Sequence, residues 1–162
     1  VFTSSILTES SRINKPITNF KTDRRSNLND DPHDMVYLTK EIGLENPSTS
    51  IKTIFAANRP PNSDIRVLYR LKRDDSSEFD KKFELMPGFK NTDAAGFTIN
   101  PKDNDGSSDV KIPASLVGEF IDYEYTVDNL PPFTAFQIKV VFMSTDQADS
   151  PEIIDFRTIA VA

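Results

Sequence analysis

One polar segment of the sequence carries carboxylates at a spacing that could bind a metal ion. The segment PKDNDGSSD supplies Asp103, Asp105 and Asp109 around a glycine. Clustered carboxylates beside a residue that permits a sharp turn are typical of sites for a hard cation such as Ca²⁺. The match to a calcium loop is incomplete, because Pro101 stands where the first acid is required and Ile112 where the closing Glu is required. A solvated turn rich in Asp, Asn and Ser is therefore favoured, and the three aspartates are a weak calcium candidate.

The other titratable residues predict no catalytic arrangement. Asp74 with Asp75 and Glu78 with Asp80 are acidic pairs near a strand end, but a chain with 25 acidic residues contains such pairs by chance. His33 is the single histidine, and without a second histidine or a cysteine it is interpreted as a solvated turn residue. No nucleophile motif, phosphate-binding glycine loop or zinc signature is present. The sequence thus predicts no catalytic residue, no cofactor and no enzymatic activity.

Composition excludes several classes of function. A formal net charge of −6 and a pI near 4.8 argue against binding to nucleic acid or to an anionic membrane, since both require clustered Lys and Arg. The absence of cysteine excludes disulfides, thiol catalysis and thiolate metal sites. No apolar run approaches the roughly 18 residues of a membrane span, and the first residues do not resemble a signal peptide. Because position 1 is Val, we expect the sequence to be a piece of a longer chain.

Residues 1–34 differ from the rest of the chain. They are polar, mix charges of both signs and carry isolated apolar residues at Ile13, Ile17, Phe20 and Leu28, with no period of 2 or 3.6. One interpretation is a disordered tail, since such a segment cannot build a core face. The other is an extended arm that becomes ordered on a neighbouring subunit, with the spaced apolar residues as contacts.

Strands are predicted from Met35 onward, because apolar and polar residues begin to alternate there. Two runs over 35–58 surround a predicted turn at Asn46-Pro47-Ser48, and the clearest strand covers 63–74. The apolar residues of that strand share one face and its basic residues the other: Ile65, Val67, Tyr69 and Leu71 against Arg66, Arg70 and Lys72. A weaker strand is predicted within 78–88, followed by a long polar loop over 89–113.

The last third of the sequence predicts three more strands. The predicted core-facing residues are Ile121, Tyr123, Tyr125 and Val127 in the first strand, Phe136, Ile138, Val140 and Phe142 in the second, and Ile154 and Phe156 in the third. A turn is predicted around 147–151. Antiparallel sheets with one buried face produce such alternation, whereas buried parallel strands give continuous apolar runs.

These patterns predict an all-β fold, an antiparallel β-sandwich of jelly-roll-like type over residues 35–162, preceded by the extended arm at 1–34. Eleven prolines, five glycines and no long amphipathic helix agree with that class. The predicted core includes Val67, Tyr69, Tyr125, Phe136, Ile138, Val140 and Phe156. A sugar-binding module is the rival function for such a fold, but the chain has no tryptophan, the best residue for a stacking platform.

Six segments in a distinctive order carry a resemblance that covers residues 24–162. They are RSN…DDPH at 25–33, A-x-RPP-x-S-D-x-R-V-L-Y-R at 57–70, FELMPGF at 83–89, DG-S-D-x-K at 105–111, EFIDYEYTVDNLPPFTAFQIKVV at 119–141 and the terminal RTIAVA. Together they resemble a module in virion structural proteins of contractile-tailed phages, especially the myoviruses that infect marine cyanobacteria.

The resemblance implies a tail or baseplate component, such as a module of a baseplate wedge or fibre-attachment protein. Its implied partners are other virion proteins in a homo- or hetero-oligomer, with no nucleic acid and no membrane, in a virion assembled in the host cytoplasm. The family is defined by assembly, so no catalytic residue carries over. The resemblance also implies that this is the C-terminal part of a long chain and that 25–34 form an ordered edge of the fold. The alternative is a receptor- or carbohydrate-binding module of a tail fibre or adhesin.

Overall fold

A computed structural model of the chain describes residues 35–88, 91–92, 98–100, 106–110, 112–144 and 149–161. The arm at 1–34, including His33, lies outside the described residues. The strands are β1 Met35–Leu38, β2 Ile42–Ser48, β3 Ser50–Asn58, β4 Ser63–Arg73, β5 Glu84–Leu85, β6 Asn91–Thr92, β7 Thr98–Asn100, β8 Ile121–Val127, β9 Phe133–Ser144 and β10 Glu152–Val161. Every strand pairing is antiparallel, so the predicted all-β antiparallel class is confirmed.

The larger sheet is built around the long strand β9. Strand β4 pairs along one side of β9, and β5 pairs with the other side of β4. Strands β1 and β2 pair one after the other along the opposite side of β9. Thr39 maintains the hydrogen bonding between β1 and β2: its backbone N–H donates to the Ile138 carbonyl at 3.0 Å, and its Oγ1 accepts from the Ile138 N–H at 3.0 Å. A side chain thus continues the ladder where the edge strand is interrupted.

The smaller sheet has the order β10-β3-β8, and it packs against the larger one to form a sandwich. The predicted core residues Val67, Tyr125, Phe136, Ile138 and Val140 are fully buried between the sheets, which confirms these assignments. The other two predicted core residues, Tyr69 and Phe156, are half-buried and pack against the same cluster from its rim.

The predicted turn at Asn46-Pro47-Ser48 is wrong. These residues belong to β2, and β3 begins after a single residue, Thr49. The two strands do not pair with each other, because β2 pairs with β9 while β3 pairs with β8 and β10. The register of β2 shifts between Gly43 and Ser48, so the proline occupies an irregular stretch where a lost N–H breaks no ladder bond. The chain crosses from one sheet to the other at this point.

The prediction that Ile154 faces the core is also wrong. Asp155 adopts a left-handed conformation, with φ of 54°, inside a register shift between Ile154 and Arg157. Such a bulge inserts one residue and reverses which side chains face inward. Ile153 and Phe156 therefore pack on the core, whereas Ile154 is 44% exposed.

The outer face of the larger sheet carries a second apolar cluster. Leu68, Val141 and Met143 point outward from β4 and β9 and are buried beneath Phe83 and Leu85. The predicted strand within 78–88 is reduced to Glu84–Leu85 and a single bridge between Lys72 and Phe79. Within the predicted long polar loop over 89–113, β6 and β7 pair as a two-stranded antiparallel sheet.

Candidate interaction surface

The calcium candidate lies mostly outside the described residues. Asp103 and Asp105 are outside the described residues. Asp109 is half-buried, and its backbone N–H donates to the Glu124 carbonyl at 2.7 Å. Among the described residues no group of three His, Asp or Glu could hold a metal ion. The calcium site therefore stays a prediction.

Gly106, the glycine of the same segment, has a packing role. Its φ is +76°, and a Cβ there would lie 2.6 Å from Leu85 Cδ2. Three backbone hydrogen bonds of 2.9–3.0 Å close a ring: Val67 N–H to Gly106 O, Gly106 N–H to Met86 O, and Met86 N–H to Val67 O. The glycine thus permits the close approach that fixes this loop on the outer cluster.

The acidic pairs at 74–80 belong to a turn at the end of β4. Asp74 donates its backbone N–H to the Pro132 carbonyl at 3.1 Å, and Asp80 donates its own to Leu71 at 2.7 Å. The Asp80 carboxylate lies 3.6 Å from Arg73 Nε, and both side chains are more than 40% exposed. These contacts stabilise the turn, and no described partner prepares a carboxyl group there for acid–base work.

An open groove of about 490 Å³ beside this turn is lined by charged residues, including Arg70 and Glu41. The Arg70 guanidinium lies 5.0 Å from the ring centre of Phe79 and 5.1 Å from that of Phe83. Its Nε donates to Gln137 Oε1 at 2.7 Å, and its Nη2 lies 3.3 Å from Glu41 Oε1. Arg70 thus links Phe79 and Phe83, which cover the outer face, to Gln137 of the sheet, because its planar guanidinium can stack on rings and donate hydrogen bonds at the same time.

The carbohydrate alternative requires aromatic side chains on the surface. Every aromatic side chain whose burial the structure describes is buried or half-buried. Phe55 stacks on Tyr123 and Tyr125 at centroid distances of 5.6 and 5.5 Å inside the sandwich. The described residues therefore display no flat aromatic platform of the kind that sugar rings stack on.

Strand β10 forms an extended apolar edge. It pairs with β3 on one side and with no described strand on the other. Ile154, Ile159 and Val161 are 44%, 51% and 49% exposed along it. Natural proteins usually protect a sheet edge with charges, prolines or bulges, and in β10 the bulge lies before Arg157 and the exposed charged residues lie at or before it. The stretch 157–161 is regular and offers both backbone groups and apolar side chains to another chain.

A groove of about 500 Å³ lies between the edges of the two sheets. Its walls are Tyr37, Leu38 and Ile42 from the β1–β2 side and Phe156 and Thr158 from β10. The Tyr37 and Phe156 rings meet edge-to-face with their centres 5.4 Å apart. Since β1 and β2 pair only with β9 among the described strands, two unpaired edges border this groove.

A second exposed apolar feature is a tight turn over residues 116–119, which we call the apolar turn. Leu116 is 77% exposed and Val117 is fully exposed at its tip. Gly118 has φ of +77°, and the Glu119 N–H donates to the Leu116 carbonyl at 3.0 Å, as in a type II turn. Sequence reasoning missed this turn, although the apolar pair before a glycine in a polar segment was a possible signal.

Burial raises the pKa of three tyrosines. The effect is largest for Tyr125, whose hydroxyl is buried with no hydrogen-bond partner in the described part of the chain, and its pKa lies well above 10. Burial also raises the pKa of Tyr123, although its hydroxyl accepts a hydrogen bond from Arg59 Nε at 2.9 Å. Burial and then the Glu84 carboxylate raise the pKa of Tyr69. All three hydroxyls therefore stay protonated at neutral pH.

Comparison with known proteins gives no match: no protein-family model, no curated protein and no solved structure matches this chain. Within the described ranges, no helix has the length and apolar character required to cross a membrane.

Proposed function

We propose that this chain is an assembly module of a phage tail or baseplate and acts through protein–protein contacts without catalysis. The observation that carries the proposal is the apolar edge of β10, with Ile159 and Val161 about half exposed beside backbone groups that pair with no described strand. The order of sequence motifs that resembles virion proteins of contractile-tailed phages supports the same assignment. Its partners would be other virion proteins.

Strand addition is the mode of contact that this edge favours. An extended segment placed beside β10 forms main-chain hydrogen bonds, while its alternate side chains contact the exposed isoleucine and valine. The adjoining groove between β10 and β1–β2 can accept the side chains that point inward. A standard interface buries about 1,600 Å² in total, so one added strand must be joined by further contacts on the sheet face.

Mass spectrometry of purified particles tests the assignment directly. The chain should be present at a fixed copy number that matches a tail or baseplate position. Its absence from particles that contain the other tail proteins would reject the virion assignment. A glycan array distinguishes an assembly module from the alternative of a receptor- or carbohydrate-binding module, since a receptor-binding tip retains defined glycans whereas an assembly module does not.

The edge can be tested within the same particles by adding one charge. Ile159→Lys should lower incorporation of the chain strongly, because a lysine there opposes pairing along the edge. Ser77→Lys adds the same charge at an exposed turn remote from β10 and serves as the control. Equal incorporation of both variants would show that the β10 edge does not contact a partner in the particle.

A further inference from the structure

The most exposed large apolar side chains of the described residues lie in one connection, between β7 and β8. Val110, Leu116 and Val117 are 68%, 77% and 103% exposed. Single exposed apolar residues are ordinary on a protein surface, whereas a group of them marks a contact site. These three side chains belong neither to the two core clusters nor to the β10 edge.

Hydrogen bonds hold the apolar turn in one shape. Asn58 Nδ2 donates to the Leu116 carbonyl at 2.8 Å and to the Glu119 carbonyl at 2.6 Å. The Leu116 N–H in turn donates to the Glu119 carboxylate at 3.1 Å. Both ends of the turn are therefore fixed to the last residue of β3, while the two apolar side chains point away from the protein.

The base of the connection is fixed in the same way. The Ser115 N–H donates to the Arg59 carbonyl at 2.8 Å, and Arg59 Nη2 donates to the Ile112 carbonyl at 2.8 Å. The Asp109 N–H donates to the Glu124 carbonyl at 2.7 Å, which lays the segment beside β8 and leaves Val110 outside. A turn that is already ordered loses little conformational entropy on binding, and this favours affinity.

The charges around the turn select the class of partner. Glu119 lies in the turn itself, and Asp122 and Glu124 follow on β8 with exposed side chains. Lys52 Nζ lies 2.8 Å from the Glu124 carboxylate and pairs with that acid. A two-fold contact with a second copy would place acids against acids, and an anionic membrane would repel them.

We propose that Leu116 and Val117 form a binding hot spot that inserts into an apolar pocket rimmed by Lys or Arg on a different protein. The apolar pair supplies the buried centre of the contact, and the acids supply its charged rim. The inference rests on the proposed assembly function only for the identity of that protein. It adds a second contact site, separate from the β10 edge.

A display library of folded-domain-sized fragments of the source genome tests this hot spot. It is selected on the full chain, on a Leu116→Asp/Val117→Asp double variant and, as a control, on Ile159→Asp, which alters the β10 edge and leaves the apolar turn intact. Because both turn residues are exposed, the double variant should keep the thermal midpoint of the wild type. Fragments bound by wild type and control should bind the double variant at least about tenfold more weakly, and their affinity should fall as salt rises.

Three results would overturn the proposal: no fragment that depends on the turn, wild-type self-association in sedimentation that the double variant loses, or binding of the chain to phosphatidylglycerol-containing vesicles. The source of the enriched fragments tests the assembly function separately. Turn-dependent fragments from non-virion proteins would keep the hot spot and reject the virion assignment. If every enriched fragment came from a virion protein and bound the double variant as tightly as wild type, the hot spot would be rejected and the virion assignment kept.

Discussion

Tyr125 carries a buried hydroxyl that has no hydrogen-bond partner among the described residues. Removing such a group relieves a desolvation cost, so Tyr125→Phe should leave stability unchanged or raise it by up to about 1 kcal/mol at pH 7. Tyr123→Phe is the matched control, because the Tyr123 hydroxyl accepts a hydrogen bond from Arg59. That variant should lose about 1–2 kcal/mol. Urea unfolding of both variants measures the difference, and equal losses would contradict the assignment.

The raised pKa of Tyr125 also predicts how stability depends on alkaline pH. Unfolded tyrosine loses its proton near pH 10, whereas buried Tyr125 keeps it to higher pH. The folded state then binds more protons than the unfolded state, so stability is fully present below pH 10 and decreases above it. The slope for one group is up to about 1.4 kcal/mol per pH unit. Urea unfolding between pH 9 and 11 should therefore give a shallower decrease for Tyr125→Phe than for wild type, and identical slopes would refute the prediction.

Alanine substitutions at Gly106 and Gly118 distinguish the cost of backbone strain from the cost of a packing collision. Both have φ near +77°, so an alanine at either site costs about 1–2 kcal/mol of strain. Only at Gly106 would the new Cβ collide, since Leu85 Cδ2 lies 2.6 Å away and nothing lies within 4 Å at Gly118. Gly106→Ala should therefore destabilise the protein by about 1–3 kcal/mol more than Gly118→Ala. Thermal unfolding of the two variants gives this difference, and equal midpoints would show that the contact relaxes freely.

At the scale of elements, the bulge in β10 determines which of two adjacent isoleucines can be replaced by a charged residue. Ile153 packs against the core, whereas Ile154 is 44% exposed. An aspartate at Ile153 loses apolar contacts and moves a charge into a partly buried site, so Ile153→Asp should cost about 2–4 kcal/mol. Ile154→Asp should stay within about 0.5 kcal/mol of wild type. Urea unfolding of the two adjacent variants decides the register, and the reverse order would restore the sequence-based assignment.

The predicted elements succeed where the strand register is regular. Alternation placed the side chains of Val67 in β4 and Ile138 in β9 on the core face correctly, because the pairing of β4 with β9 is regular around both residues. It failed at β10, where the conformation of Asp155 sets the phase and period-2 counting cannot detect one inserted residue. It also failed at β2, where the strands on either side of Thr49 belong to different sheets.

The candidate surfaces were less predictable than the core. Whether an apolar residue such as Ile159 is covered depends on how many strands its sheet acquires, and a local sequence pattern does not contain that number. Val141 shows the opposite case, since it points away from the sandwich yet is buried beneath Phe83 and Leu85. The apolar turn at Leu116 depends on Asn58, which is remote in sequence and whose amide fixes the turn.

At the scale of the whole molecule, the two sheets differ in how they are covered. The larger sheet carries the core on one face and the cluster around Leu68 and Phe83 on the other. The smaller sheet has the core on its inner face, while its edge strand β10 exposes Ile159 and Val161. Contacts with other proteins are therefore expected on the side of the smaller sheet, where burial still gains free energy.

The arm at residues 1–34 is expected to become ordered only when it contacts a neighbouring subunit. Its isolated apolar residues cannot offset an ordering cost of about 1–2 kcal/mol per backbone residue, so pairing along an exposed edge of a neighbour is the expected source of its stability. The edge strands β1, β2 and β10 are where such a segment can add. Amide hydrogen exchange followed by mass spectrometry compares the free chain with assembled particles.

In the free chain, the amides of residues 1–23 should exchange quickly and the arm should be cut by protease, while β4 and β9 stay protected. In particles the same amides should become protected, because a strand added to an edge has its N–H groups hydrogen-bonded. Met35 begins β1 beside the groove that Phe156 lines, so an arm docked on its own sheet is the competing arrangement. Equal protection in the free chain and in particles would establish that arrangement, and the partner-dependent arm would be rejected.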